Sequence, residues 1–325
     1  IYEDAVITAK KVYAVVEVDR EAIKAAMSDE GAFVRATKEV VKKGVESWMR
    51  NMSRILFNTL ANGSVGTISA NATGTAAAPV CIISDATWKE ANFEERDILD
   101  GASSTFEVTS VDPDNKTVTL ARLSGSEDLT ATGASQALYM QNSSGNDPQA
   151  VAGVISATSG TKYGISVARR WKAYQYDASS ASLSTDLMNK IMLGVEKQCG
   201  KAPNMIITSY KQYEKLLNLL EDHKRYSISP RDNSLKGKVS FSGVEFMSAK
   251  GPIGVFADRF CDDAQMHFLN DNHIHIYHRP DFGWFDDDGT VFLRKASSDA
   301  YEARYGGYLE VYVNPCFHGY LYGLA

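Results

Sequence analysis

The chain has 325 residues, 44% of them hydrophobic and 23% charged, with a formal net charge of −6. That length is enough for a large core and two or three domains; the composition is ordinary for a globular protein, and the acidic balance offers no electrostatic grip on DNA or RNA. No run of about eighteen apolar residues occurs, which excludes a conventional transmembrane helix. The four cysteines (Cys81, Cys199, Cys261, Cys316) show no CxxC spacing and read as buried thiols of a reduced cytosolic protein.

The chain opens on Ile1, with neither an initiator Met nor a signal-peptide pattern. Val6, Thr8, Val12, Ala14 and Val16 alternate as in a strand, expected to be one half of a hairpin whose other half lies upstream. Gly31 to about Leu60 is the longest periodic stretch. Phe33, Ala36, Val40, Val41, Val45, Trp48, Met52, Ile55, Leu56 and Leu60 draw one apolar stripe at helical spacing. Arg35, Lys38, Glu39, Lys42, Lys43, Glu46, Arg50 and Arg54 fall opposite, with Glu39–Lys43 and Glu46–Arg50 as i,i+4 pairs. Ser28 or Asp29 caps the start and Asn62-Gly63 stops the helix. At about 45 Å, such a helix is a spine crossing more than one packing layer.

Gly63-Ser-Val-Gly66-Thr67 lacks the GK[ST] ending of a phosphate loop and reads as a flexible turn, before a short strand over 79–83. Residues 84–148 alternate with period two in DILD, STFEVTSV, KTVTLARL and QALYMQ, and Asp112–Lys116 supplies a turn. They predict a small barrel or sandwich inserted into a larger domain. A helix follows from Leu183, stopped by Gly200. The strand NMIITS then runs into the helix YKQYEKLLNLLEDHKRY, an α/β arrangement with a turn at Pro203. After a polar loop with Arg231, Lys236 and Lys238, strand patterns recur to the end, and Asp286–Gly289 reads as a hairpin turn between two of them.

His273-Ile-His275-Ile-Tyr-His278 has the spacing of the metallo-β-lactamase metal motif, but Tyr277 stands where that motif needs its aspartate. His273 and His275 share a strand face with His278 opposite; with a third ligand such as His318 they would hold zinc, and otherwise they are ordinary strand histidines. Asp281-Phe-Gly283 stands without the other kinase signatures, and Asp262-Asp263 point apart on a strand. GxSxG, HExxH and GxGxxG are absent. No catalytic residue, cofactor or metal is assigned, and the chain reads as a building block and not as an enzyme.

The run AKKVYAVVEVDREAIKAAMSDEGAFVRATKEVVKKGVESWMRNMSRILFNTLANGSVGTI resembles the strand, spine helix and Gly/Ser turn of tailed-bacteriophage major capsid proteins. PNMIITSYKQYEKLLNLLEDHKRY resembles their axial-domain strand and helix, and FLRKASSDAYEARYGGYLEVYVNPCFHGYLYGL their closing strands, with Arg294, Glu310, Asn314 and Pro315 in similar places. The resemblance covers most of the chain outside residues 84–148. It implies an α+β capsid fold, shared with encapsulins and the herpesvirus capsid floor. The end of the extended loop and a leading strand would occupy residues 1–30, and the spine helix 31–62. A peripheral domain would take 63–83 and 149–176, interrupted by the β insertion at 84–148, with an axial domain at 177–289 and closing strands at 290–325.

It further implies a subunit forming hexamers and pentamers of an icosahedral shell around double-stranded phage DNA. Such a shell is assembled in the host cytoplasm and found in the virion, with scaffolding, portal and decoration proteins as further partners, weak non-specific DNA contact and no membrane. The family's N-terminal arm and first half of the extended loop precede the segment seen here, so no crosslink of the kind some relatives form is expected. Arg35, Lys42, Arg50 and Arg54 are expected to meet neighbouring subunits or the shell interior, the alternative being a solvated face. Arg231, Lys236 and Lys238, in the loop 227–237, are expected near a symmetry axis, the alternative being a surface loop. Other classes stay open. An encapsulin-like compartment would not need the insertion, and a metal-dependent hydrolase would need His273, His275 and His278.

Overall fold

The computed structural model describes residues 4–20, 30–168, 170–224, 244–248, 251–279, 282–286, 289–295 and 298–325. Strand β1 (Lys10–Asp19) leads to helix α1 (Glu30–Leu56), about 40 Å long. Gly44 decides how the two meet. A Cβ there would lie 2.3 Å from Val16 Cγ2, so only glycine lets the helix ride this close to the strand. One stripe of the helix carries Trp48, Met52 and Ile55 inward, and Trp48 meets Phe282 and Tyr305 edge-on at 5.3 and 5.6 Å. The helix stops at Leu56, four residues before the expected end. Asn58 turns the chain by accepting from Leu60 N and donating to Ser64 O, and Asn62 and Gly63 sit in the left-handed region that favours Gly and Asn.

Seven strands follow: β2 (Ser64–Thr67), β3 (Thr73–Thr75), β4 (Ala78–Ile82), β5 (Ile98–Asp100), β6 (Thr105–Asp112), β7 (Thr117–Ser124) and, after the short helix α2 (Leu129–Thr132), β8 (Ala137–Met140). They form one sheet in the order β2-β8-β5-β6-β7-β4-β3. The Ile68–Ile83 bridge, with Ser69 N donating to Ile82 O and Ser84 N to Thr67 O, joins β2 to β4 and closes all but β3 into a barrel. Phe106, Leu99, Leu120, Leu138 and Val118 fill it completely shielded from water. Asp112 makes the expected turn by accepting from the backbone N–H of Asp114 and Asn115.

Two expectations are corrected here. Gly63–Thr67 is not a flexible turn: β2 is a buried strand, with Val65 wholly inside and Gly66 where a Cβ would press on the Phe93 ring at 2.8 Å. The barrel therefore begins at Ser64, so the division at residue 84 falls inside one sheet. A Gly-rich segment is a strand here because a neighbouring ring needs the space a side chain would take.

The chain then runs through α3 (Val151–Ile155), β9 (Thr161–Lys162), β10 (Ile165–Ser166) and β11 (Tyr174–Asp177). Helix α4 (Thr185–Cys199) starts on the Ser184 N-cap and ends on Gly200 at φ 75°. β12 (Met205–Thr208) and α5 (Tyr210–Lys224) follow, then β13 (Val244–Ser248), β14 (Gly251–Ala257), β15 (Met266–Leu269), β16 (Ile274–His278), β17 (Gly283–Trp284), β18 (Leu293–Arg294), β19 (Ala300–Val313) and β20 (Gly319–Tyr322).

A six-stranded mixed sheet, β11-β20-β15-β12-β14-β13, packs with α4 and α5 around Met188, Ile191, Val195, Leu216, Ile206 and Phe268. The second main sheet pairs β19 with β1 along one side, from Lys10–Leu309 to Asp19–Ala300, and with β16, β17 and β18 along the other. Within this chain the partner of β1 is thus β19, near the far end of the sequence. β17 and β18 both pair with β19 instead of with each other; Gly289 N donates to Asp286 O across the expected turn, whose central Asp287 and Asp288 lie outside the described residues. Cys199 and Cys316 form a disulfide with Cα atoms 6.2 Å apart, which corrects the expectation of four thiols; Cys81 and Cys261 are free and buried. Fold brings together two cysteines 117 residues apart, and spacing in sequence carries no trace of that.

Candidate assembly surfaces

The polar face of α1 splits into three environments. Lys42 and Lys43 are exposed and pair along the helix with Glu46 at 3.6 Å and Glu39 at 3.0 Å. Arg50 leaves the expected Glu46 and instead reaches the barrel, where Glu94 accepts it at 2.6 Å and Arg259 at 3.0 Å. One carboxylate thereby ties the helix, the barrel and the loop after β14 together. Arg54 is not a surface residue. It is 4% exposed, donates from Nε to Asn51 Oδ1, and faces Asp147 at 3.7 Å.

The expectation that Arg54 meets another subunit is thus corrected, because the last turns of α1 are enclosed by the barrel and the segment that leaves it. Burial lowers the Arg54 pKa, with Asp147 and Asp97 acting against that, and burial raises Asp147 while Arg54 holds it down. Both Nη atoms and Asp147 Oδ2 lack a hydrogen-bond partner at 3.7 Å separation, so the pair is electrostatic and not a tight bidentate contact. The side chain of Arg35, and Arg231, Lys236 and Lys238 with their loop, lie outside the described residues.

Sequence reasoning missed two features. Lys89 is an unremarkable residue of TWKEAN, yet its Nζ donates to Phe57 O at 3.3 Å and Phe260 O at 3.2 Å, locking barrel to helix end; burial lowers its pKa. The second is an apolar face. Tyr13, Val15, Tyr277, Leu293 and Tyr308 are exposed large side chains on one face of the β19 sheet. Lys11 and Arg279 lie 5.8 and 5.3 Å from the Tyr308 ring centre, and a recess of about 450 Å³ beside it is lined by Phe282, Trp284 and Phe285. Exposed aromatics flanked by cations are the composition of protein–protein contacts. The alternation of KVYAVVEV carried a signal, since Tyr13 and Val15 fall on the face opposite Val12 and Val16.

The histidines are not brought together. His273 sits in a single turn before β16, not on the strand; it stacks on Phe317 at 3.7 Å and lies 3.2 Å from Lys201 Nζ. His275 stacks on Tyr312 at 6.2 Å, and His278 Nδ1 lies 3.0 Å from Arg279 O. His318 is completely buried, its Nδ1 accepting from Asn270 N, and burial pushes its pKa down to about 4. Among the described residues no three His, Cys, Asp or Glu side chains come together as metal ligands. Asp262 and Asp263 are used separately: the Asp262 carboxylate accepts from Ala264 N, and Asp263 O from Gln212 Nε2. Asp281, Asp287 and Asp288 lie outside the described residues. No helix among the described residues is long and apolar enough to cross a membrane.

Comparison of the sequence with protein-family models and with curated proteins finds no match. Comparison of the structure with solved structures does. The chain is similar to a subunit of the cyanophage A-1(L) capsid asymmetric unit with a TM-score of 0.55, at 12% identity, over 97% of this chain and 77% of that one. It also aligns with a chain of the satellite phage P4 procapsid that includes the size determination protein, at a TM-score of 0.40 and 9% identity, over 100% and 74% of the two chains; a score that low supports no argument. The chain therefore has the fold of a phage capsid protein.

Proposed function

We propose that the chain is a major capsid subunit that self-assembles through hexamers and pentamers into an icosahedral shell enclosing double-stranded phage DNA. The observation that carries this is similarity along 97% of the chain to a subunit of a phage capsid asymmetric unit. Two further features support it. The long helix has an exposed charged face at Lys42 and Lys43, and an apolar sheet face is open to a partner. A net charge of −6 suits a wall that holds its nucleic-acid cargo weakly. Closed symmetry repeats modest contacts many times, so each can be weak while the shell is strong.

In this reading Lys42 and Arg50 belong to the subunit contacts, with Arg35, Arg231, Lys236 and Lys238 as further members. The β19 sheet face adds Tyr13 and Tyr308. Scaffolding, portal and decoration proteins are its partners, and the virion capsid its location. The test is negative-stain electron microscopy of the purified protein together with mass by light scattering. Icosahedral particles, or rings of five and six, are expected. A full-length gene product that stays monomeric or dimeric overturns the reading.

A further inference from the structure

The five-residue link from β19 to β20 is the joint between the two main sheets. It contains the single turn Pro315–Phe317, and helix α4 ends against it. Two contacts hold that turn. Phe317 lies flat on His273 at 3.7 Å with Lys201 Nζ 5.5 Å from its ring, and Cys316 is bonded to Cys199, the last residue of α4. Their Cα separation of 6.2 Å needs no backbone movement to bridge. Both residues are half-buried, so a small reagent reaches them, whereas Cys81 and Cys261 are shut in. Burial pushes those two thiols up to about 12, which leaves them inert.

We propose that Cys199 and Cys316 are a redox-gated staple: two thiols while the protein is in a reducing cytosol, and a disulfide that pins the inter-sheet joint to α4 once a small disulfide meets it outside. The proposal takes from the capsid reading only that change of compartment. The oxidant is a low-molecular-weight disulfide of the glutathione class. One cysteine thiolate attacks a sulfur of the reagent, forms a mixed disulfide and releases one small thiol. The second thiolate then attacks the protein sulfur of that mixed disulfide and releases the other small thiol. Two electrons leave the cysteine pair, and the two protons the pair gave up end on the released thiols. The closed bond spans 117 residues of chain, a separation at which loss of unfolded-state freedom is large.

The experiment counts thiols in the whole protein. Lysate quenched with iodoacetamide is expected to give four labels after denaturation. Protein exposed to oxidised glutathione before labelling is expected to give two, on Cys81 and Cys261, with a Cys199–Cys316 peptide in the digest. The melting temperature is expected to rise by about 5 °C on oxidation in the native sequence, and not in Cys316→Ser or Cys199→Ser. Two labels already in the quenched lysate overturn the gating. Four labels after oxidation, or an equal temperature rise in the serine variants, overturn the staple. Particle formation is scored separately on the reduced protein, so failure of the capsid reading shows there and not in the label count.

Discussion

Arg50 and Arg54 stand one helical turn apart on α1 and differ only in what surrounds them. Arg50 is 44% exposed beside Glu94, and a solvated pair of this kind contributes little. Arg54 is enclosed with Asp147, and removing one partner of a buried pair leaves an unpaired charge inside. Arg54→Glu is therefore expected to destabilise the protein by about 3–5 kcal/mol, while Arg50→Glu shifts the denaturation midpoint by less than about 1 kcal/mol. Urea unfolding of the two variants side by side checks this. An equal response would show that the packing at Arg54 does not exclude water.

His267 and His318 give the fold a pH dependence. Burial pushes them down to about 3 and about 4, so both are neutral in the folded chain at pH values where the unfolded chain is protonated. Their stability is thus present above about 6.5 and is lost as pH falls below it, at about 1.4 kcal/mol per pH unit for each. Burial raises the pKa of Asp97, Asp147 and Glu310, and these pull the other way as the carboxylate range is approached. The histidine contribution sets in at pH 6.5, where the unfolded imidazole begins to take up its proton. Unfolding midpoints from there to about pH 5 are expected to fall steadily, and a flat response would mean that water reaches both rings.

Among the elements, the β1–β19 pair shows how one residue permits a long pairing. Gly306 lies at φ 144°, where a Cβ would come 2.1 Å from Val12 O. The obstacle is backbone, so it cannot swing aside. Gly306→Ala is expected to cost about 3 kcal/mol through strain and forced separation of the strands, read as a lowered denaturation midpoint with loss of amide protection along β1. The expected strands of the barrel were legible because their alternation and the Asp112–Lys116 turn are local. The register that closes the barrel through Ile68 and Ile83 was not, because it depends on segments brought together only by the fold. The stop of helix α4 at Gly200 was legible, whereas the end of α1 was misplaced by four residues because Asn58 turns the chain toward Ser64 O.

For the whole molecule, function depends on surfaces that the isolated chain leaves open. Tyr13 and Tyr308 are 47% and 39% exposed on adjacent strands, and the capsid reading places such a face against a neighbour. Tyr13→Glu with Tyr308→Glu is expected to lower particle yield at least about tenfold, since a charge pair buried at a contact costs more than one such step. The melting temperature should stay within about 2 °C, because both rings are on the outside. Normal particle yield would move the contact to another face.

By itself the sequence determined the spine helix, the period-two strands, the capped helix α4 and the order in which they occur. Each is written in short-range spacing of apolar residues and in cap or turn residues within a few positions. Through that order it also pointed to the capsid fold. Only the tertiary structure decided that β1 pairs with β19, that Arg54 is internal, that Lys89 fastens the barrel, and that Cys199 meets Cys316. Those outcomes follow from which distant segments share a core, and burial of a charge or the meeting of two thiols is a property of the space around a residue, which no local pattern encodes.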